Sequence, residues 1–239
     1  MNANRKLASI AVLVSVGRHP VSGVPRYSRN DAAALEIGRA LAAEHRARLD
    51  VIHAGDARNP ALADYLALGA AIVEVLACAD GDDAAAALAE RVRGHDLVLT
   101  GTRAEGAYDT GMLPYRVAAA LGWPFVGAAV DVSVDAARAT LRQFLPKGVR
   151  RRVDAALPAV VAVHPLANAQ PRYAYARLRA GEVRVTRAFQ TPLALCKEFA
   201  FSVKDGSRAD WYLASACQDA HGWQWASAEP AVERWGNLQ

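Results

Sequence analysis

The chain has 239 residues, 53% of them hydrophobic with 53 alanines, and a formal net charge of +4. That length supports one large domain with a sizeable core, and the apolar content excludes a disordered chain. No apolar run reaches the roughly eighteen residues of a membrane span, so direct membrane insertion is not expected. Cys78, Cys196 and Cys217 are too scattered for a zinc or redox pair and too few for a disulfide scaffold, which points to a reducing, cytoplasmic setting.

Arg5 and Lys6 ahead of the apolar run Leu7 to Val16 resemble a signal peptide only superficially. The run ends in Gly17-Arg18-His19-Pro20 without a small-x-small cleavage site. β-branched residues and leucine dominate it, so residues 8–16 read as a buried first strand. A long loop over 17–30 carries the turn formers Pro20, Gly23 and Pro25. Asp31 is then expected to cap an amphipathic helix to about residue 46, with Ala34, Leu35, Ile37, Gly38 and Leu41 on its apolar side. A strand over 49–54 follows. Asn59-Pro60 opens a second helix that Gly69 stops. Strand 72–76 precedes a helix capped by Asp82 or Asp83 and ended by Gly94. Strand 96–101, a loop over 102–111, a helix to residue 121 and a strand over 125–134 complete the alternating part.

Strands alternating with helices predict an α/β fold: a three-layer parallel sheet of the adenine-nucleotide-binding, Rossmann-like type. Residues 140–145 and 149–154 flank Pro146-Lys147-Gly148 and read as an antiparallel edge hairpin, with a further strand over 158–163. Residues 164–180, rich in Pro, Arg and Tyr, read as a surface loop. From residue 186 the composition changes. The last 54 residues hold ten alanines, yet two of the four lysines, two of the three cysteines and four of the five tryptophans. The chain therefore divides into a nucleotide-binding domain over 1–185 and an irregular C-terminal extension, outside the sheet, over 186–239.

Ligands of open α/β sheets sit beyond the carboxyl ends of the strands, near the point where strand order reverses. Loops 17–30 and 102–111 are the longest at that end, so a pocket between them is the expected site. It holds few reactive groups. The glycine spacing of Gly101 to Gly106 imitates a phosphate loop but continues as Ala107-Tyr108. His19 and His53 fall at strand ends and could touch a ligand. Asp109-Thr110-Gly111, ahead of a helix, suits a phosphate or a plain helix cap equally well. Residues 138–187 carry eleven Lys or Arg against Asp154 and Glu182, a local charge of +9. That suggests either a surface for an anionic partner or a solvated face. The absence of a recognition module argues against nucleic acid.

Several stretches together resemble the beta subunit of electron transfer flavoprotein, over roughly residues 7–180. They are Ile10 to Arg18, Asp31-Ala-Ala-Ala-Leu-Glu36, Asp96 to Gly101, Asp109-Thr-Gly111, Leu121-Gly-Trp-Pro124, Leu157-Pro-Ala-Val-Val161 and Asn168 to Tyr173, in that order. The resemblance implies a heterodimer whose alpha subunit makes most of the FAD contacts, with AMP as a structural ligand of the beta chain. It implies an electron-carrier subunit, not an enzyme. Electrons would arrive from a flavin-dependent dehydrogenase and leave toward a quinone oxidoreductase, the flavin supplying the redox chemistry. A second FAD, as in electron-bifurcating members, has no support in the sequence.

Carried onto this chain, the resemblance places the cofactor-binding residues at Ser15, Ser28, Asp31, Ala54, Asp109, Thr110, Gly111 and Met112. Donors usual in the family are altered: Gly17 replaces a lysine, Ser28-Arg29 an Asn-Pro pair, and Met112-Leu113-Pro114 the usual Gln-Thr/Val-Gly. The loop that docks the dehydrogenase falls at Pro171, Arg172, Tyr173, Ala174, Tyr175 and Ala176. Ala176 stands where a leucine anchor is usual, which suggests a donor other than an acyl-CoA dehydrogenase, such as an amine or N-methyl-glycine-type dehydrogenase. The extension over 186–239 is either a diverged form of the family's embracing arm or a tail foreign to it. Two other functions compete: a stand-alone nucleotide-binding regulator similar to universal stress proteins, and a nucleotide hydrolase using Glu105 and Asp109.

Overall fold

The computed structural model describes residues 6–77, 84–104, 111–190, 195–205, 208–219 and 222–230. Strand β1 spans Ser9–Val14, where Ile10 to Val14 are all buried. A small hairpin follows, β2 (Val16–Arg18) against β3 (Pro25–Tyr27), within the stretch expected to be a loop. Next come α1 (Arg29–His45), β4 (Arg48–Gly55), α2 (Leu62–Ala67), β5 (Ile72–Ala77), α3 (Ala84–Val92) and β6 (Leu97–Gly101). The chain continues through α4 (Leu113–Leu121), β7 (Phe125–Asp135), β8 (Arg138–Phe144), β9 (Arg150–Ala156) and β10 (Ala159–Val163). It closes with α5 (Tyr175–Ala180), β11 (Glu182–Gln190), β12 (Leu195–Asp205), β13 (Arg208–Asp219) and β14 (Gly222–Pro230).

Among the described residues one twelve-stranded sheet runs β14-β13-β12-β11-β5-β4-β1-β6-β10-β7-β8-β9. The strands from β11 to β7 pair parallel, and both ends turn antiparallel. Alternate residues of the central strands feed two cores. Ile10, Val12 and Val14 pack with Leu35 and Leu41 of α1 and Leu62 and Leu66 of α2. Ala11 and Leu13 pack with Leu88 of α3 and Val117 of α4. Helices therefore cover both faces of the parallel sheet, which is the expected three-layer α/β architecture. β6 and β10 are buried at every position, as interior strands of a sheet covered on both faces are.

Four local readings change. The cap of α1 is Ser28, whose Oγ accepts from the Asp31 N–H at 3.3 Å, while Asp31 itself lies in the first turn. Asn59 does accept from the Ala61 N–H at 3.1 Å, but the helix proper begins only at Leu62. Part of 164–180 is the short helix α5. The fourth change is the largest, because the tail joins the sheet. β11 pairs parallel with β5, and β12, β13 and β14 extend that edge antiparallel. Cys196 and Cys217, distant in sequence, occupy paired positions of β12 and β13. Asp82 and Asp83 lie outside the described residues. Among the described residues no helix is long and apolar enough to cross a membrane.

The opposite edge accounts for much of the basic stretch. Arg150, Arg151 and Arg152 are exposed on β9, the last strand of the sheet, and Arg142 and Arg152 pair with Asp131 and Asp154. Charge along a terminal strand discourages pairing with another chain.

Candidate functional site

β1 lies between β4 and β6, and the connections leaving β1 and β6 pass to opposite faces of the sheet. This is the reversal point at which such sheets open a crevice. The segment after β1 and residues 102–104 after β6 lie at this end of the sheet, where the sequence predicts a site; residues 105–110 lie outside the described residues.

Asp31 closes the floor. One carboxylate oxygen accepts from the Ser15 N–H (2.8 Å) and from Ser15 Oγ (2.5 Å), while the other accepts from the Gly101 N–H (2.9 Å). A single side chain at the start of α1 therefore ties the ends of β1 and β6 together. Asp96 does the same at the amino ends, accepting from the Ala8 and Ser9 N–H groups at 2.9 and 3.0 Å. Asp31 is 3% exposed. Burial pushes its carboxyl up to about 7, against the hydrogen bonds from Ser15 and Gly101 that favour the charge. Gly101 has to be glycine: a Cβ there would stand 2.5 Å from the Asp31 carboxylate and 2.7 Å from Asn30 Cβ.

Tyr65 braces the same ring of residues from α2. Its hydroxyl donates to the Ser15 carbonyl at 2.6 Å and accepts from the Ser28 N–H at 3.0 Å. Ser28 is fully buried. Its Oγ faces the first turn of a 17-residue helix, whose amino end carries partial positive charge. On β4, His53 pairs in register with Val14, and Ala54 follows it, half-buried.

Beyond β6, Gly111 takes a left-handed φ of 69° and Met112, half-exposed, begins α4. A Cβ on Gly111 would lie 3.5 Å from Arg103 Cγ, so a cationic side chain flanks this loop. Asp109 and Thr110 lie outside the described residues. Of the expected contacts, the structure thus brings Ser15, Ser28 and Asp31 into one hydrogen-bonded cluster. Ala54 lies at the end of the adjacent strand, and Gly111 and Met112 stand at the start of α4.

Three residues of this site were not anticipated. Arg103 was readable as the second residue beyond β6. Gly101 was readable as a strand end at the crevice. Tyr65 gave no signal, because a hydroxyl on an apolar helix face reads as core.

The expected docking loop is a separate surface. Pro171, Arg172, Tyr173, Tyr175 and Ala176 are exposed, and Ala174 is anchored by its N–H to the Ala67 carbonyl at 2.9 Å. Tyr173 donates to Asp64 at 2.8 Å, which pushes its hydroxyl up to about 12, and it meets Tyr175 edge-to-face at 5.3 Å between ring centres.

A family model described as the electron transfer flavoprotein domain matches residues 25–189, which include α1, the crevice strands β4 and β6 and the exposed tyrosine loop. The chain belongs to the electron transfer flavoprotein family. It is also 40% identical over 178 residues to the electron transfer flavoprotein subunit beta of Chromohalobacter salexigens, covering 72% of this chain and 66% of that protein. The likeness to the beta subunit read from the sequence is therefore borne out. The match to the flavoprotein domain ends at residue 189, near the end of β11 and close to the change in composition.

Proposed function

We propose that the chain is the beta subunit of a two-chain electron carrier and that the crevice at the ends of β1, β4 and β6 holds an adenine nucleotide. Family membership supports the carrier role. The observation that carries the nucleotide reading is the Asp31 clamp, which ties the ends of β1 and β6 to the start of α1 at the reversal point. The residues present fit AMP. The amino ends of α1 and α4 and the Arg103 side chain offer a positive environment for phosphate. Gly55 and Gly101 keep side chains out of the strand ends. Ser15, Ser28 and Asp31 are hydrogen-bonded to one another, so they shape the floor of the pocket, while Ala54, Gly111 and Met112 would line it.

FAD would be bound mainly by the alpha subunit and supplies the redox chemistry when present. This chain's share is to close one side of that site and to present the 171–176 loop to a flavin-dependent dehydrogenase. A quinone oxidoreductase is the acceptor, and the altered anchor at Ala176 favours an amine-type donor. Residues 186–239 would act as the arm that grips alpha, through the edge strands β11 to β14. The setting is cytoplasmic. The family match favours this reading over a stand-alone nucleotide-binding regulator.

Co-expression with an alpha-type flavoprotein subunit tests it. A yellow one-to-one complex is expected, with a colourless isolated chain and AMP released on denaturation. A chain that never pairs and purifies free of nucleotide would contradict the proposal.

A further inference from the structure

His53 is 5% exposed and lies in register with Val14, one residue before Ser15. Its Nδ1 is 2.9 Å from the Val14 carbonyl oxygen. A carbonyl only accepts, so Nδ1 bears the proton. Burial holds the ring below the usual histidine range, in its neutral form. Nε2 is consequently a bare acceptor, and it is buried with no hydrogen-bond partner among the described residues. Folded proteins rarely leave such an atom unpaired.

The direction of the ring matters. Gly55 is two residues further along β4, on the same face, and a Cβ there would stand 2.8 Å from Nε2. The imidazole therefore extends along the strand toward its carboxyl end, occupying space that any side chain at 55 would take. The unpaired Nε2 thus lies beside Gly55, the last residue of β4. Nearby hydrogen-bonding groups are engaged elsewhere: the Tyr65 hydroxyl with Ser15 and Ser28, and the Ser15 hydroxyl with Asp31.

We infer that Nε2 of His53 accepts a hydrogen bond from the adenine nucleotide in the crevice, from a donor on its base or its ribose. The inference rests on the nucleotide-binding reading above and deepens it by naming the atom that selects the ligand. A neutral Nε2 without a proton welcomes a donor and repels a second acceptor, so His53 sets which nucleotides are admitted.

Calorimetric titration of the nucleotide-stripped full chain with AMP decides the matter. His53→Asn keeps a donor for the Val14 carbonyl and deletes the Nε2 position; His53→Gln carries an acceptor out to it. The Asn variant should bind AMP about three- to tenfold more weakly, with the unliganded melting temperature held. The Gln variant should recover most of that loss. Weak binding of inosine monophosphate by the unmodified chain would assign the base amine, and weak binding of a 2′- or 3′-deoxy AMP would assign the ribose. Undiminished AMP binding by His53→Asn would overturn the inference, leaving an ordered water as the partner of Nε2. If the unmodified chain binds no AMP at all, the nucleotide reading itself fails.

Discussion

Replacing Asp31 by Asn should remove a pH dependence that this one carboxyl imposes on the fold. The folded carboxyl titrates at about 7, against an ordinary value of 3.8. Because the folded group binds its proton more tightly, the unfolded chain ionises first and stability falls as pH rises between those values. From the two titration points, the ionisation costs about 1 kcal/mol at about pH 4.5 and about 4 kcal/mol at about pH 7.5, a loss of about 3 kcal/mol across the window. Asn is isosteric and can still accept from the Gly101 N–H, but it cannot ionise. Urea unfolding of the full chain and of the Asn variant at both pH values isolates the effect, since other groups cancel in the difference. The unmodified chain should lose about 2–3 kcal/mol more than the variant on going to the higher pH. Parallel pH profiles, or a steeper loss in the variant, would show that the clamp holds an unperturbed carboxylate and refute the reasoning.

The same site yields further expectations. Tyr65→Phe deletes the bond to the Ser15 carbonyl and leaves the buried Ser28 N–H unsatisfied, which should destabilise the chain by about 2 kcal/mol, measurable by thermal unfolding. Gly101→Ala forces a methyl against Asp31 and Asn30 and should cost about 1–3 kcal/mol, whereas Gly94→Ala, which meets nothing within 4 Å, should stay within about 0.5 kcal/mol. Tyr173→Phe or Arg172→Ala should slow flavin reduction by the donor in stopped-flow mixing while the flavin content of the complex stays constant. Unchanged donor kinetics would remove the 171–176 loop from docking.

Much of the fold was legible because its signals are local. β10 and most of β1 and β6 are apolar, and β6 and β10 are buried at every position. The hairpin β8–β9 announced itself through Pro146-Lys147-Gly148, where Lys147 and Gly148 both take positive φ. From sequence Asp31 reads as a cap, because an acidic residue ahead of an apolar run suits either the cap or the first turn, and the structure puts it in the first turn. The spacing Ser28-x-x-Asp31 held the answer, since that is the pattern of a reciprocal cap. Here the pattern is used half-way: the Ser28 N–H goes to Tyr65, which releases the Asp31 carboxylate to reach Ser15 and Gly101. No local rule predicts that diversion. The tail was illegible for a different reason. β11 finds its partner in β5, more than a hundred residues earlier, and composition carries no trace of such a pairing. In the crevice, the helix starts and glycines were visible in the sequence, whereas the roles of Tyr65 and His53 Nε2 depend on which groups the fold leaves unpaired.

We propose that this chain carries electrons only as part of a complex, with redox chemistry borrowed from a flavin shared with its partner. An anaerobic titration of the purified two-subunit complex measures this directly. Addition of a reduced amine-type dehydrogenase should bleach the flavin, and addition of a quinone oxidoreductase should restore its colour, with no turnover by the chain alone. A flavin that stays oxidised in the presence of every reduced dehydrogenase, or a solitary chain that converts a substrate unaided, would contradict it.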